Sequence, residues 1–249
     1  MKKIAKNYFC KEEKEKIKTL KEEIKKLKKD NKKLSLINQS KDELISAISH
    51  EFKNPISIIS GFIETIISSN LDKETSYKFL IKIQKNALRL SELIDRLYLI
   101  TKLENKKIEL KKTTFDIFSL TKELIASLNN ERIKLIGKKH LIRADKQLIE
   151  IVISNLIQNA LKYSKKEIIV KIENNTFSVI DFGTGIDKKE IELITNKFYR
   201  IAKNEWDNSL GLGLSIVVEI LKMHNLHLDI KSEINKGSEF SFDFTPIKE

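Results

Sequence analysis

His50 stands in the run Ser49-His50-Glu51-Phe52-Lys53-Asn54-Pro55, where an imidazole is followed directly by a carboxylate and, one helical turn on, by an amide. An imidazole with a proton acceptor beside it is equipped for nucleophilic or acid–base chemistry near neutral pH. The surrounding pattern indicates where it points. Ile45, Ile48, Phe52, Ile56, Ile59, Ile63 and Ile66 recur at helical spacing, and His50, Asn54 and Ser57 fall on the other side. A histidine serving a core belongs on the apolar stripe, and this one lies off it. Most surface histidines do nothing chemical, so the chain must supply something for His50 to react with.

Three further groups of residues bear on that requirement. Asn155 and Asn159 are one turn apart in Asn155-Leu156-Ile157-Gln158-Asn159-Ala160-Leu161-Lys162-Tyr163, a helical pattern in which Asn is a poor choice. Two amides on one helix face need partners. Either they are structural amides, or they offer oxygen to Mg²⁺ beside a lysine for phosphate. Asp181-Phe182-Gly183-Thr184-Gly185 closes a strand with a carboxylate and two glycines. Gly183 and Gly185 would allow positive φ and a close approach of the backbone to a ligand, although a purely structural turn reads the same way. Gly211-Leu212-Gly213-Leu214 opens an apolar helix, where exposed N–H groups make a natural phosphate cradle.

The elements that must hold these residues follow from periodicity. Ile17, Leu20, Ile24, Leu27, Asn31 and Leu34 alternate steps of three and four, a heptad seam with Asn31 at an a position that favours a dimer in register. Glu23 and Lys28 pair across a parallel dimer, and Lys16 and Lys21 repel. The register continues through Asn38 and Lys41 into the His50 helix, and Pro55 should bend that rod one turn past His50. After Asn70-Leu71-Asp72 a second helix carries Tyr77, Leu80, Ile81, Ile83, Leu88, Leu93, Ile94, Leu97, Ile100 and Leu103 on its apolar positions. The two helices form an antiparallel hairpin of about 30 residues per arm, too apolar to stand alone, so two copies are expected to make a four-helix bundle.

Beyond Lys112 the pattern turns to short strands and capped helices. Thr113–Phe115 is predicted as a strand, Asp116 as the cap of a helix to Leu128, and Ile133–Ile136 and His140–Arg143 as strands. Asp145 is predicted to cap a helix to Tyr163, followed by strands over 167–173 and 177–181, a helix over about 211–224, and strands over 228–232 and 239–244. The fold class is α+β: an N-terminal coiled coil (1–40), a helical hairpin (41–110), and an α/β sandwich with a mixed sheet and helices on one face (111–249).

Composition narrows the function classes. The chain has 249 residues, 41% hydrophobic and 33% charged, with net charge +12. Residues 1–33 hold 14 lysines against 6 acidic residues, so the basic excess belongs mainly to the N-terminal segment. A solvated lysine-rich helix explains it better than a nucleic-acid or membrane contact, and no nucleic acid is expected as partner. No 18-residue apolar run marks a transmembrane helix, and Met1-Lys2-Lys3 leads into no secretory signal. One cysteine, Cys10, excludes an internal disulfide and fits a cytoplasmic location. No Cys/His cluster suggests zinc, and structural or surface roles suit His140, His224 and His227.

Taken in order, the His50 run, the Asn159 run, Asp181-x-Gly183-x-Gly185, Lys197-Phe198-Tyr199-Arg200 and Gly211-x-Gly213 closely resemble the H, N, G1, F and G2 boxes of the sensor histidine kinases of two-component systems. The resemblance covers about residues 40–246. It implies that His50 attacks the γ-phosphate of ATP and that Glu51 holds the proton of the other ring nitrogen. It implies that Asn159 binds Mg²⁺ with Asn155 in support, and that Asp181 accepts a hydrogen bond from the adenine amino group. Lys162, Tyr163, Lys197 and Arg200 would line the phosphate and ribose side, with Gly183, Gly185, Gly211 and Gly213 shaping the backbone. The phosphoryl group would then pass to an aspartate on a response-regulator receiver domain. Asn54 fills the position that orients a dephosphorylating water in related kinases, so a phosphatase-dominant scaffold is the alternative.

Three positions depart from the family pattern. Ser209-Leu210-Gly211 stands where Gly-Thr-Gly is usual, the lid before it is short and carries Trp206, and Asn225-Leu226 replaces paired glycines. A chaperone- or repair-type member of the same ATPase superfamily would lack the hairpin that carries His50. No separate sensor domain fits in the first 40 residues, so the coil either couples to a signal-input protein or continues a longer chain.

Overall fold

The computed structural model describes residues 48–104, 108–201 and 211–248, with positions 24–25, 27–28, 31–32, 35 and 45–46. The chain divides into two compact units, Met1–His50 and Glu51–Glu249. In the first, the described positions are helical, among them Asn31 and Lys28, and Ile24 and Leu27 are exposed. Ile17, Leu20, Leu34, Glu23 and Cys10 lie outside the described residues.

The second unit begins within a helix, α1, that is continuous over residues 48–68 and runs through the buried Pro55. Helix α2 spans Lys73–Glu104. Asp72 starts it by accepting from the N–H and hydroxyl of Thr75 at 2.9 and 2.7 Å, which satisfies one of the donors that every helix start leaves open. The arms meet at Phe62 and Phe79, whose rings lie 4.8 Å apart. Much of the apolar stripe foreseen on both arms remains on the surface of a single chain: Ile56, Ile63, Tyr77, Leu80, Leu88 and Ile94 are exposed. Leu93, Ile100 and Leu103, near the end of α2, are buried, and this helix packs against α5, Gly213–Met223.

The rest is a mixed sheet covered on one face. β1 (Lys112–Asp116) pairs antiparallel with β3 (Leu141–Asp145) as a separate two-stranded ladder. The main sheet has the order β2-β4-β5-β7-β6, from Ile133–Gly137, Ile168–Glu173, Thr176–Asp181, Gly237–Asp243 and Asp229–Glu233. Only β2–β4 is parallel, because β3 and α4 (Lys146–Tyr163) make the crossover between them. Alternation decides which face is covered: Ile168, Val170 and Ile172 of β4 point inward, as do Phe177 and Val179 of β5 and Phe240 and Phe242 of β7. Helix α4 packs on β4 and β5, α3 (Ile117–Leu128) packs against α4 and β2, and α5 packs against α4. The largest side chains at the centre, Phe177 and Phe242, stack at 5.1 Å between centroids.

Local chemistry sets the boundaries. Asp116 caps α3 through the N–H groups of Phe118 and Ser119, and Asp145 caps α4 through that of Leu148, as their positions before apolar runs predict. Asn174 and Asn175 both take positive φ in the two-residue turn between β4 and β5. At the end of α5, Asn225 takes φ +59°, and Leu226 N–H bonds Leu221 O at 2.8 Å. That closure normally favours glycine but tolerates asparagine, so the Asn225-Leu226 departure keeps the turn intact. His224 is buried there as a neutral ring. Its Nδ1 faces Ile220 O at 2.8 Å and its Nε2 accepts the Asp145 N–H at 3.1 Å. Burial holds it below the ordinary imidazole value, and a protonated Nε2 would lose its acceptor role.

Candidate functional site

The predicted nucleotide residues lie on three elements that meet at one edge of the α/β part. Asn155 and Asn159 are half-buried on α4. Asn155 uses its amide nitrogen on the helix itself, donating to Ile151 O at 2.8 Å, which turns its oxygen outward. That oxygen faces the start of α5: a Cβ on Gly213 would lie 3.0 Å from Asn155 Oδ1 and 3.9 Å from Asn159 Oδ1. Helix α5 begins at Gly213 rather than Gly211, and its first turn has no side-chain cap. Its leading N–H groups are therefore available to an anion. Two amide oxygens beside an uncapped helix start suit Mg²⁺ held jointly with phosphate, since this ion takes hard oxygen donors and shares them with substrate phosphates and water.

Asp181 ends β5 and is only 4% exposed. Burial pushes its carboxyl above the ordinary range, while hydrogen bonds from Gly183 and Ser238 pull it back. The Gly183 N–H reaches Asp181 Oδ1 at 2.8 Å. Gly183 does not take positive φ, contrary to expectation; only Gly185 does, at +64°. Gly183 is required by a close approach instead, because a Cβ there would stand 2.1 Å from Tyr163 O. That contact joins the aspartate turn to the end of α4, where Lys162 Nζ sits 4.9 Å from the Tyr163 ring centroid. Gly185 rests on the β6–β7 turn, where a Cβ would meet Glu233 O at 1.9 Å.

Lys197-Phe198-Tyr199-Arg200 packs on the other glycine turn. Phe198 N–H bonds Gly211 O at 3.1 Å, and a Cβ on Gly211, which has φ +65°, would stand 2.7 Å from Tyr199 O. Phe198 itself is left-handed at φ +63°, a strained state for a bulky residue. Tyr199 donates to Glu190. Trp206, Ser209 and Leu210 lie outside the described residues.

A family model for the histidine kinase-, DNA gyrase B-, and HSP90-like ATPase matches residues 144–248, which contain α4, the Asp181 turn and α5. A second, for the His Kinase A (phospho-acceptor) domain, matches residues 40–106, which contain His50. The chain belongs to the sensor histidine kinase family. The phosphate regulon sensor protein PhoR of Haemophilus influenzae is 30% identical over 216 residues, 82% of this chain and 51% of that protein. The chain spans about half the length of the curated relatives it matches. Histidine kinase AdeS of Acinetobacter baumannii has the same fold, with TM-score 0.62 at 20% identity over 79% of this chain and 98% of that one. Histidine kinase ThkA, solved in complex with response regulator protein TrrA, aligns with TM-score 0.58 at 25% identity over 82% of this chain and 62% of that one.

On α1, His50 is exposed, Asn54 half-buried and Glu51 only 5% exposed. The Glu51 carboxylate has two guanidinium partners, Arg89 Nη2 on α2 at 3.4 Å and Arg200 Nη1 at 3.9 Å. The family resemblance places Arg200 on the phosphate side, and no local signal marks Arg89, which sits on α2 among residues of apolar spacing. Ser238 has no local signal either. It lies opposite Asp181 in the β5–β7 register, a relation that no local motif encodes. Among the described residues no helix is long and apolar enough to cross a membrane.

Proposed function

We propose that this chain is an ATP-dependent protein histidine kinase that phosphorylates His50 and passes the phosphoryl group to an aspartate of a response-regulator receiver domain. The meeting of Asn155, Asn159, the Asp181 turn and the uncapped start of α5 carries this reading, on a chain that also bears the phospho-acceptor helix. In the first step a ring nitrogen of His50 forms a bond to the γ-phosphorus as the bridging P–O bond breaks and ADP leaves. Glu51 is assigned to hold the proton of the other ring nitrogen, so that the attacking nitrogen keeps its lone pair. Asp181 accepts from the adenine amino group. The N–H groups of Gly213 and its neighbours, with Lys162, Tyr163, Lys197 and Arg200, bind and orient the phosphates, since positioning and electrostatics supply most of phosphoryl-transfer catalysis. Mg²⁺, held by Asn159 with Asn155 in support, supplies neutralisation of phosphate charge.

The exposed apolar stripe on α1 and α2 supports a homodimer through a four-helix bundle, and residues 1–40 are assigned to coupling with a signal-input protein. The division at 40/41 and 110/111 belongs to the same reading. Asn54, one turn after His50 on the same helix, supports a phosphatase activity on the regulator as a second function. Incubation with γ-labelled ATP and Mg²⁺ tests the main reading: acid-labile label on the chain that chases to a receiver domain is expected, and a chain that binds ATP yet takes no label overturns it.

Asp181→Asn separates binding from folding. A folded-state carboxyl value raised above the unfolded one makes the charged form a cost, absent below the unfolded value and growing as pH rises through the folded one. The nucleotide-free variant is therefore expected to melt at or above the parent temperature at neutral pH, with the difference shrinking toward about pH 4. Its ATP affinity falls by about 10- to 150-fold, the worth of a hydrogen bond to a charged group. A melting temperature below the parent's at neutral pH would contradict the burial cost.

A further inference from the structure

Glu51 is a carboxylate with almost no exposure, and its two oxygens are divided between two arginines: Oε2 faces Arg89 and Oε1 faces Arg200. A buried carboxylate without a cationic partner is costly to hold in place. The two partners differ in where they are anchored. Arg89 belongs to α2, the second arm of the hairpin that Glu51 itself occupies. Arg200 belongs to the segment packed on the Gly211 turn, among the residues assigned to the phosphates. When Arg200 engages nucleotide, Arg89 is the cation left on the carboxylate among the described residues. Its planar fork is suited to fixing a carboxylate in one orientation, which a lysine does less well.

We propose that Arg89 is a positioning residue for the phosphorylation of His50, holding the Glu51 carboxylate in one orientation while Arg200 serves the phosphates. The proposal rests on the kinase reading given above. Successive side chains on a helix diverge, so the residue after His50 serves the imidazole only from a fixed rotamer. Arg89 holds the Glu51 side chain in one place from the neighbouring arm.

The test is the rate of label incorporation from γ-labelled ATP in the full chain, with Arg89→Gln, Arg89→Lys, Glu51→Gln and the Glu51→Gln/Arg89→Gln double variant. Arg89→Gln is expected to lower kcat by about 10- to 100-fold, the scale of a misplaced catalytic group, with the KM for ATP within about twofold of the parent. Arg89→Lys is expected to fall between the two. In the Glu51→Gln background the loss from Arg89→Gln should shrink to under about threefold, because the group it acts through is gone. An Arg89→Gln protein that labels at the parent rate overturns the proposal, as does one that loses as much in the Glu51→Gln background. A rise in KM alone, which would make Arg89 a nucleotide contact, also overturns it. Should Arg89→Gln fail to fold, Arg89→Lys decides: slowed labelling at unchanged KM supports the role, and the parent rate refutes it. An unlabelled parent chain would instead mark failure of the kinase reading, which a labelled parent with a silent Arg89 substitution does not.

Discussion

His50→Gln is expected to abolish phosphorylation of the chain while leaving ATP binding intact. Glutamine has no ring nitrogen to form the N–P bond, and no second imidazole is placed to substitute: His224 is buried with both nitrogens engaged, and the sequence ties His140 and His227 to no catalytic motif. Label from γ-labelled ATP should fall by at least about 1,000-fold, or about 4 kcal/mol in barrier, the scale of removing a nucleophile. The fold should not notice. His50 is exposed on a helix where glutamine is at least as good a helix former, so stability should shift by under about 0.5 kcal/mol. ATP affinity should stay within about twofold, because its proposed ligands lie on α4, the Asp181 turn and α5. Equilibrium nucleotide binding and acid-labile counts on one preparation check both halves. Normal label on the variant would remove His50 from the mechanism, and a parallel loss of ATP binding would show that the histidine was structural.

How far the sequence reaches depends on how local each signal is. Asp116 and Asp145 are legible as helix caps because a cap acts within three residues of itself, and both helices begin where those aspartates say. The strands of the mixed sheet are legible from alternation, and their ends differ from expectation by a residue or two. Relations across the chain are not encoded that way. Ser238 faces Asp181 only because β5 and β7 pair in one register, and Glu51 meets Arg89 only because the hairpin folds back. Gly183 shows the same limit from the other side. The requirement for glycine was correctly located, but its cause is the carbonyl of Tyr163 and not the backbone angle. Asn225 looked like a lost glycine, and its left-handed backbone shows that the turn survives the exchange. Each mismatch arises where a residue's partner is distant in sequence or where a second residue type meets the same backbone demand.

Asn155 and Asn159, equivalent by spacing, should separate sharply on mutation. Asn155 donates to Ile151 O, and its oxygen lies against the Gly213 position, so it braces α4 against the start of α5. Among the described residues, the Asn159 amide makes no hydrogen bond, and its oxygen lies on the same side. A half-buried amide kept on a helix against its propensity, with its oxygen left for something outside the protein, is what a metal–phosphate ligand requires. Asn159→Ala should therefore weaken binding of ATP in Mg²⁺ by about 100-fold or more, about 2.7 kcal/mol, with melting of the nucleotide-free protein unchanged or slightly raised, since alanine favours the helix. Binding measured in EDTA should differ little between variant and parent, because the lost contact is the one made through the ion. Asn155→Ala should do the reverse in part. It loses a hydrogen bond worth about 1 kcal/mol and opens the contact with α5, lowering the melting temperature and weakening ATP with or without Mg²⁺. Titrating both variants with ATP in each condition distinguishes the two asparagines. If Asn155→Ala alone carries the Mg²⁺-dependent loss, the ion belongs one turn earlier on α4 than proposed, with Asn159 in the supporting place.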